Sequence, residues 1–133
     1  MNGRLAYLDT SAFVKLVVRE AESTALTRFL ARWPERASAT LLRAEAIRAL
    51  RRAGLDADVG AARRLFETLR LVRIDEPLLD RAGVLEPREL RSLDALHLAT
   101  ALGLGPDLGV FVTYDRRMGE AAEQVGLPVR SPA

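Results

Sequence analysis

Apolar residues fill Leu5 to Leu8 without a break, the mark of a strand covered on both faces. A polar turn, Asp9-Thr10-Ser11, follows, and apolar residues then continue in a short helix through Val17. The next helical pattern runs from about Ala21 to Trp33 and stops at Pro34. Ala37 to Ala39 read as a short second strand. Thr40 is placed to cap a helix over Leu41 to Ala53, which ends at Gly54 where a left-handed residue is wanted. A further helix is predicted over Asp58 to Thr68, a third strand over Leu71 to Ile74, and a helix with Pro77 in its first turn that reaches Gly83. Glu86-Pro87 interrupts the pattern. Ser92 then stands as cap to a helix whose stretch from Leu93 to Leu102 is apolar almost all round, as a buried helix reads. Gly103 and Gly105 end it. Val110 to Thr113 form another strand, Arg116 to Val125 a last helix, Gly126-Leu127-Pro128 a turn, and Val129-Arg130 an edge strand. Short apolar runs alternating with helical periods predict an α/β domain with a mainly parallel sheet.

With 133 residues the chain has material for one hydrophobic core and too little for two, so one domain over residues 1–133 is expected. The absence of cysteine excludes disulfides, thiolate metal sites and a cysteine nucleophile, and it suits a cytoplasmic protein. The apolar stretch after Arg4 ends at Asp9, too short for a signal peptide or a membrane span. A soluble protein with no membrane partner is expected. The net charge of +2 hides an imbalance, because nineteen of the twenty basic residues are arginine and only Lys15 is lysine. Arginine forks onto phosphate and carboxylate, but genomic composition bias gives the same excess, so the count identifies no partner.

The candidate chemistry lies in four acids. Asp94 is the only formal charge between Leu93 and Leu102, and a lone carboxylate in an apolar helix costs several kcal/mol, roughly, unless it is paired, neutralised or bound to a cation. In the first turn of its helix it is alternatively a helix-end charge favoured by the dipole, although the apolar surroundings argue against solvent exposure. Asp9 and Asp115 follow predicted strands and precede helices, which makes each either an N-cap or a ligand at the carboxyl end of a sheet. On a helical wheel Glu45 falls between Leu41 and Leu42, with Arg48 and Arg52 on its other side. It either points inward or pairs with Arg48 at the surface. Converging carboxylates repel, and a hard divalent cation such as Mg²⁺ or Mn²⁺ relieves that repulsion. Neither a zinc-type cluster nor a phosphate-cradling P-loop is present. The single histidine, His97, lies in the apolar helix and reads as a hydrogen-bonded core residue.

At these positions the chain resembles the PIN-domain nucleases, and within them the VapC toxins of toxin–antitoxin modules. Tyr7-Leu8-Asp9-Thr10-Ser11-Ala12 looks like the family's opening strand and first acid, and Leu41-Leu42-Arg43-Ala44-Glu45 like its helical glutamate. Leu93-Asp94-Ala95-Leu96-His97-Leu98-Ala99-Thr100-Ala101 is the most specific segment, and Val112-Thr113-Tyr114-Asp115-Arg116-Arg117 supplies the last acid. The resemblance spans nearly the whole chain. It implies a three-layer α/β/α fold with sheet order 3-2-1-4-5 and an Mg²⁺- or Mn²⁺-dependent ribonuclease site. Asp9, Glu45, Asp94 and Asp115 match the family's acids, with Ser11 and Thr113 as hydroxyls that orient them. Asp9, Asp94 and Asp115 would hold the ion, with Glu45 bound directly or through water and positioning or deprotonating the attacking water. Some PIN nucleases carry a further acid after the last aspartate. Arg116, Arg117 and Met118 stand there instead, which leaves one or two ions open.

Arg91, Arg116 and Arg117 are candidates for steering RNA, or else solvated charges. The resemblance also implies a cognate VapB-like antitoxin and a second copy of the chain as partners. The antitoxin's C-terminal segment would lie in a groove near Phe13, Val17, Phe29, Trp33, Leu65, Phe66 and Leu69, residues that otherwise fill the core. Two other classes compete. One is a PIN-fold protein without toxin activity, either an RNA-processing nuclease lacking an antitoxin or a silent binding module. The other is a phosphatase with Asp9 as nucleophile, whose D-x-D-x-[TV] pattern is spoiled by Ser11.

Overall fold

The computed structural model describes residues 3–133, so that of the expected domain Met1 and Asn2 lie outside the described residues. Five strands, β1 (Leu5–Leu8), β2 (Glu35–Ala39), β3 (Arg70–Val72), β4 (Leu108–Val112) and β5 (Val129–Arg130), form one sheet in the order β3-β2-β1-β4-β5. Every neighbouring pair is parallel. Among the described residues seven α-helices connect and cover them: α1 (Thr10–Val17), α2 (Ser23–Leu30), α3 (Leu42–Arg52), α4 (Val59–Phe66), α5 (Glu76–Gly83), α6 (Ser92–Gly103) and α7 (Arg116–Gln124).

Strand β1 is buried along its whole length because it lies at the centre of the sheet with helices on both faces. Its side chains alternate between two cores. Leu5 and Tyr7 join Phe111 of β4 against Leu98 of α6 and Met118 of α7. Ala6 and Leu8 join Val110 and Val112 against Ala12 of α1 and Leu26 and Leu30 of α2. A third cluster binds α1 to α3 and α4 through Phe13, Leu42 and Phe66, and a fourth packs α5 on α6. Phe13 and Phe66, candidates for an exposed groove, are instead buried, stacked with ring centroids 5.1 Å apart. Val17, Phe29, Trp33, Leu65 and Leu69 are half-buried.

Element ends differ from the sequence reading for identifiable reasons. Helix α2 stops at Leu30, short of Trp33, and the Arg36 guanidinium donates to the carbonyls of Leu30 (2.8 Å) and Trp33 (2.9 Å), satisfying that end. Strand β3 ends at Val72 because Ile74 leaves the sheet to pack in the α5–α6 cluster. Thr40 and Ser92 do not cap their helices. The Thr40 carbonyl accepts from the Arg43 amide (3.1 Å), Leu41 occupies the cap position of α3, and Ser92 is already the first helical residue of α6. Side-chain caps come from aspartates: Asp9 on α1, Asp75 on α5 and Asp115 on α7. Gly54 has φ +73°, the left-handed turn expected after α3. Among the described residues no helix is long and apolar enough to cross a membrane.

Candidate active site

The chain runs from β1 outward to β3 and then returns to β4 on the other side of β1, so strand order reverses between the two central strands. Ligands of open parallel sheets gather at the carboxyl ends of such strands. Asp9 leaves β1 and Asp115 follows β4 there. The Asp9 carboxylate is 3 % exposed. Its Oδ1 accepts from the Ala12 amide (3.0 Å) and the Ser11 hydroxyl (2.6 Å), and its Oδ2 from the Thr113 hydroxyl (2.5 Å). Burial pushes this carboxyl above its ordinary range, opposed by those three hydrogen bonds and by His97. The Thr113 hydroxyl in turn accepts from the Asp115 amide (3.0 Å), so one side chain ties the two aspartates together. Ser11, which donates to Asp9, accepts from the Tyr114 amide (2.9 Å) and so joins the start of α1 to the segment after β4. Asp115 Oδ1 accepts from the amides of Arg117 and Met118, at 2.9 and 3.2 Å.

Helices α3 and α6 bring a second pair. Glu45 Oε1 accepts from the Thr10 hydroxyl (2.5 Å) and from His97 Nε2 (2.7 Å). Among the described residues Arg48 is no ion-pair partner of Glu45. An ionised carboxylate only accepts, so Nε2 carries the hydrogen. His97 Nδ1 lies 2.7 Å from the Tyr7 hydroxyl, and in the neutral ring it accepts from that group. Burial pushes the Tyr7 phenol well above its ordinary range, which keeps its hydrogen in place. The reading of His97 as a hydrogen-bonded core residue holds for its burial, 2 % exposed. Its partner, however, is an acid of the site. Thr10, Tyr7 and His97 were not singled out by sequence as supports of Glu45, and the only signal was their position inside motifs whose acids drew attention.

Asp94 departs from expectation. It is not enclosed: its side chain is 19 % exposed, and the preceding Leu93 is 51 % exposed. Helix α6 is largely buried from Ala95 to Ala101, but Ser92 and Leu93 at its start are exposed. Asp94 gains the N-terminal end of the helix dipole and the Arg91 guanidinium, whose Nε lies 3.6 Å from Oδ2. Burial still raises its carboxyl, Arg91 and His97 lower it, and Asp115 and Glu45 raise it. These charge couplings link Asp94 to Asp115 and Glu45.

The oxygen donors left free by this network are those a hard cation takes. Among the described residues no hydrogen bond reaches Asp115 Oδ2 or Glu45 Oε2. Among the described residues no three acidic or histidine side chains close into a ready-made cage. Mg²⁺ suits such an arrangement, because it usually takes one or two carboxylates and fills its octahedron with water and substrate phosphate. The three candidate arginines separate: Arg91 and Arg117 border a cleft that contains Asp94, whereas Arg116 borders a groove with Tyr114 and Asp115.

Comparison with known proteins accords with this geometry. The PIN domain profile matches residues 6–124, which include all four acids. Ribonuclease VapC46 of Mycobacterium tuberculosis is 53% identical over 127 residues, covering 96% of this chain and 97% of that protein. Among solved structures, VapC20 of Mycobacterium tuberculosis, described as a toxin that cleaves the sarcin-ricin loop, superposes with a TM-score of 0.76 at 20% identity, covering 96% of this chain and 99% of its own. A toxin–antitoxin complex from Klebsiella pneumoniae gives 0.70 at 21% identity, covering 96% and 98%. These two likenesses are of fold. The chain belongs to the PIN-domain family, in its VapC group.

Proposed function

We propose that this chain is a ribonuclease that hydrolyses RNA phosphodiester bonds with Mg²⁺ or Mn²⁺, and that it is the toxin of a toxin–antitoxin pair. What supports the reading is Asp9 and Asp115 at the carboxyl ends of adjacent central strands, bridged by Thr113, together with Glu45 tied to α6 through His97. Kinship with a full-length relative named a ribonuclease supports it. Asp9, Asp94 and Asp115 would hold the ion directly or through water. Such an ion supplies positive charge to a phosphate and acidifies water.

The protein's own groups divide the remaining work. Thr10 and His97 fix Glu45 Oε1, which leaves Oε2 to orient an attacking water and take its proton. Ser11 and Thr113 lock the Asp9 carboxylate so that its charge need not reorganise as the reaction proceeds. Attack forms a new P–O bond from water and breaks one bond between phosphorus and a ribose oxygen, which leaves with a proton from solvent.

The test is cleavage of RNA by protein stripped with EDTA. Activity should be absent in chelator, return with Mg²⁺ or Mn²⁺, and be poorly supported by Ca²⁺, whose looser coordination positions water badly. Full cleavage in excess EDTA would remove the cation from the mechanism. The antitoxin is the partner for which the half-buried Val17, Phe29, Trp33, Leu65 and Leu69 remain available. Expression of this chain alone should slow growth and co-expression of its antitoxin restore it. A second copy of the chain is the other expected partner, carried by the family resemblance alone and checked by light scattering.

A further inference from the structure

Consecutive arginines at the start of α7 serve different walls. Arg116 borders the groove beside β5, while Arg117 opens onto a separate cleft of about 390 Å³ that reaches Asp94. One wall of that cleft is a single stripe of α7, Arg117, Glu120, Ala121 and Gln124, spaced three and four residues apart as one helix face requires. Pro87, Glu89, Leu90, Arg91 and Asp94 form the opposite wall. Its volume falls in the range in which proteins take small organic groups, roughly 300–1,000 Å³.

We propose that this cleft receives one guanine base of the RNA, adjoining the phosphate that is cut. The proposal rests on the ribonuclease reading and extends it to substrate choice. Asp94 belongs both to the acid site and to the cleft, so a group seated there lies next to whatever the acids act on. Single-stranded RNA is read by splaying a base out, stacking it on a planar or apolar surface and hydrogen-bonding its edges. The guanidinium of Arg117 and that of Arg91, the latter 73 % exposed, supply planes, and half-buried Leu90 and buried Ala121 supply an apolar floor. Glu120 and Gln124, both exposed, stand on the α7 wall, and Glu120 also borders the groove with Arg116. A carboxylate accepts two parallel hydrogen bonds, and guanine alone among the four bases offers two neighbouring N–H donors on its Watson–Crick edge. The Gln124 amide can donate to the guanine O6 beside them.

The experiment uses the full chain, a randomised RNA pool and sequencing of the cut ends, with wild type, Glu120→Ala, Gln124→Ala and, as a control on the other wall of α7, Glu123→Ala. Wild type and the control should show guanine enriched at one position flanking the cut. Glu120→Ala should reduce that enrichment by about 10-fold, the discrimination typical of one bidentate base contact. Gln124→Ala should reduce it less. All positions substituted are exposed, and matching melting temperatures verify folding. Absence of guanine enrichment in the wild type overturns the proposal, as does an unchanged profile in folded Glu120→Ala. If the profile holds while Glu120→Ala weakens antitoxin binding, the cleft is a protein-docking surface and the proposal fails. A wild type that cuts no RNA overturns the ribonuclease reading itself, a result distinct from cleavage without base preference.

Discussion

Glu45 owes its orientation to residues far away in sequence. It reaches Thr10 and His97 over separations of 35 and 52 residues, and His97 is held from behind by Tyr7, 90 residues away. Outer hydrogen-bond partners of this kind typically change metal affinity or activity by about 10–100-fold when removed. His97→Leu should therefore lower the cleavage rate by that order, while His97→Gln, which keeps an N–H donor, should restore part of it. Rates that are equal for both variants at matched melting temperature would deny His97 a positioning role. A second expectation follows from Asp9 and Asp94, whose carboxyls are raised above the ordinary value of 3.8. An acid with a higher pKa folded than unfolded holds more protons in the native state, so its ionisation costs stability as pH rises through that interval. Without divalent ions the protein should lose stability from these groups as pH climbs past the ordinary aspartate range. Asp94→Asn should lose less of it, as thermal melts across pH will show. A steeper loss in the variant would contradict the electrostatic account.

At the level of elements, the sequence shows strands well and ends poorly. Leu5 to Leu8 was legible because a fully covered central strand must be apolar throughout. Thr40 and Ser92 look like caps by residue type, but capping needs the side chain to reach an orphan amide, and local turns satisfied these starts instead. Trp33 looked like the end of a helix, but α2 stops at Leu30. Trp33 lies against the backbone of Gly109 at the start of β4, where a Cβ would stand 2.3 Å from Trp33 Cζ3 and 2.3 Å from the Gly3 carbonyl oxygen. Gly109→Ala should thus force the indole and the N-terminal segment apart and destabilise the fold by roughly 1–3 kcal/mol, the usual penalty of overpacking. Urea unfolding measures this, and an unchanged midpoint would show that the Trp33–Gly109 contact yields freely.

On the scale of the molecule, alternation of strands and helices disclosed an α/β class, while the order β3-β2-β1-β4-β5 came from family resemblance and was found in the sheet. Asp9 and Asp115 were legible as strand-end residues because aspartates after apolar runs stand where parallel sheets present ligands. The supports of Glu45 were not, since contacts across 35 to 90 residues leave no local trace, whereas Ser11 and Thr113, which hold Asp9, came with the family resemblance. Asp94 was misread as enclosed because an apolar run does not reveal which turn of a helix lacks a neighbour.

The claim that the four carboxylates form one cation-dependent nuclease site is tested most directly by the rate of RNA cleavage in Mg²⁺ or Mn²⁺ for wild type and Asp94→Asn. The substitution preserves size and removes one charge. Losing a charge partner of this kind typically costs ~10²–10³ in rate, and a fold of undiminished melting temperature should accompany the loss. Cleavage by folded Asp94→Asn at the wild-type rate would contradict the account.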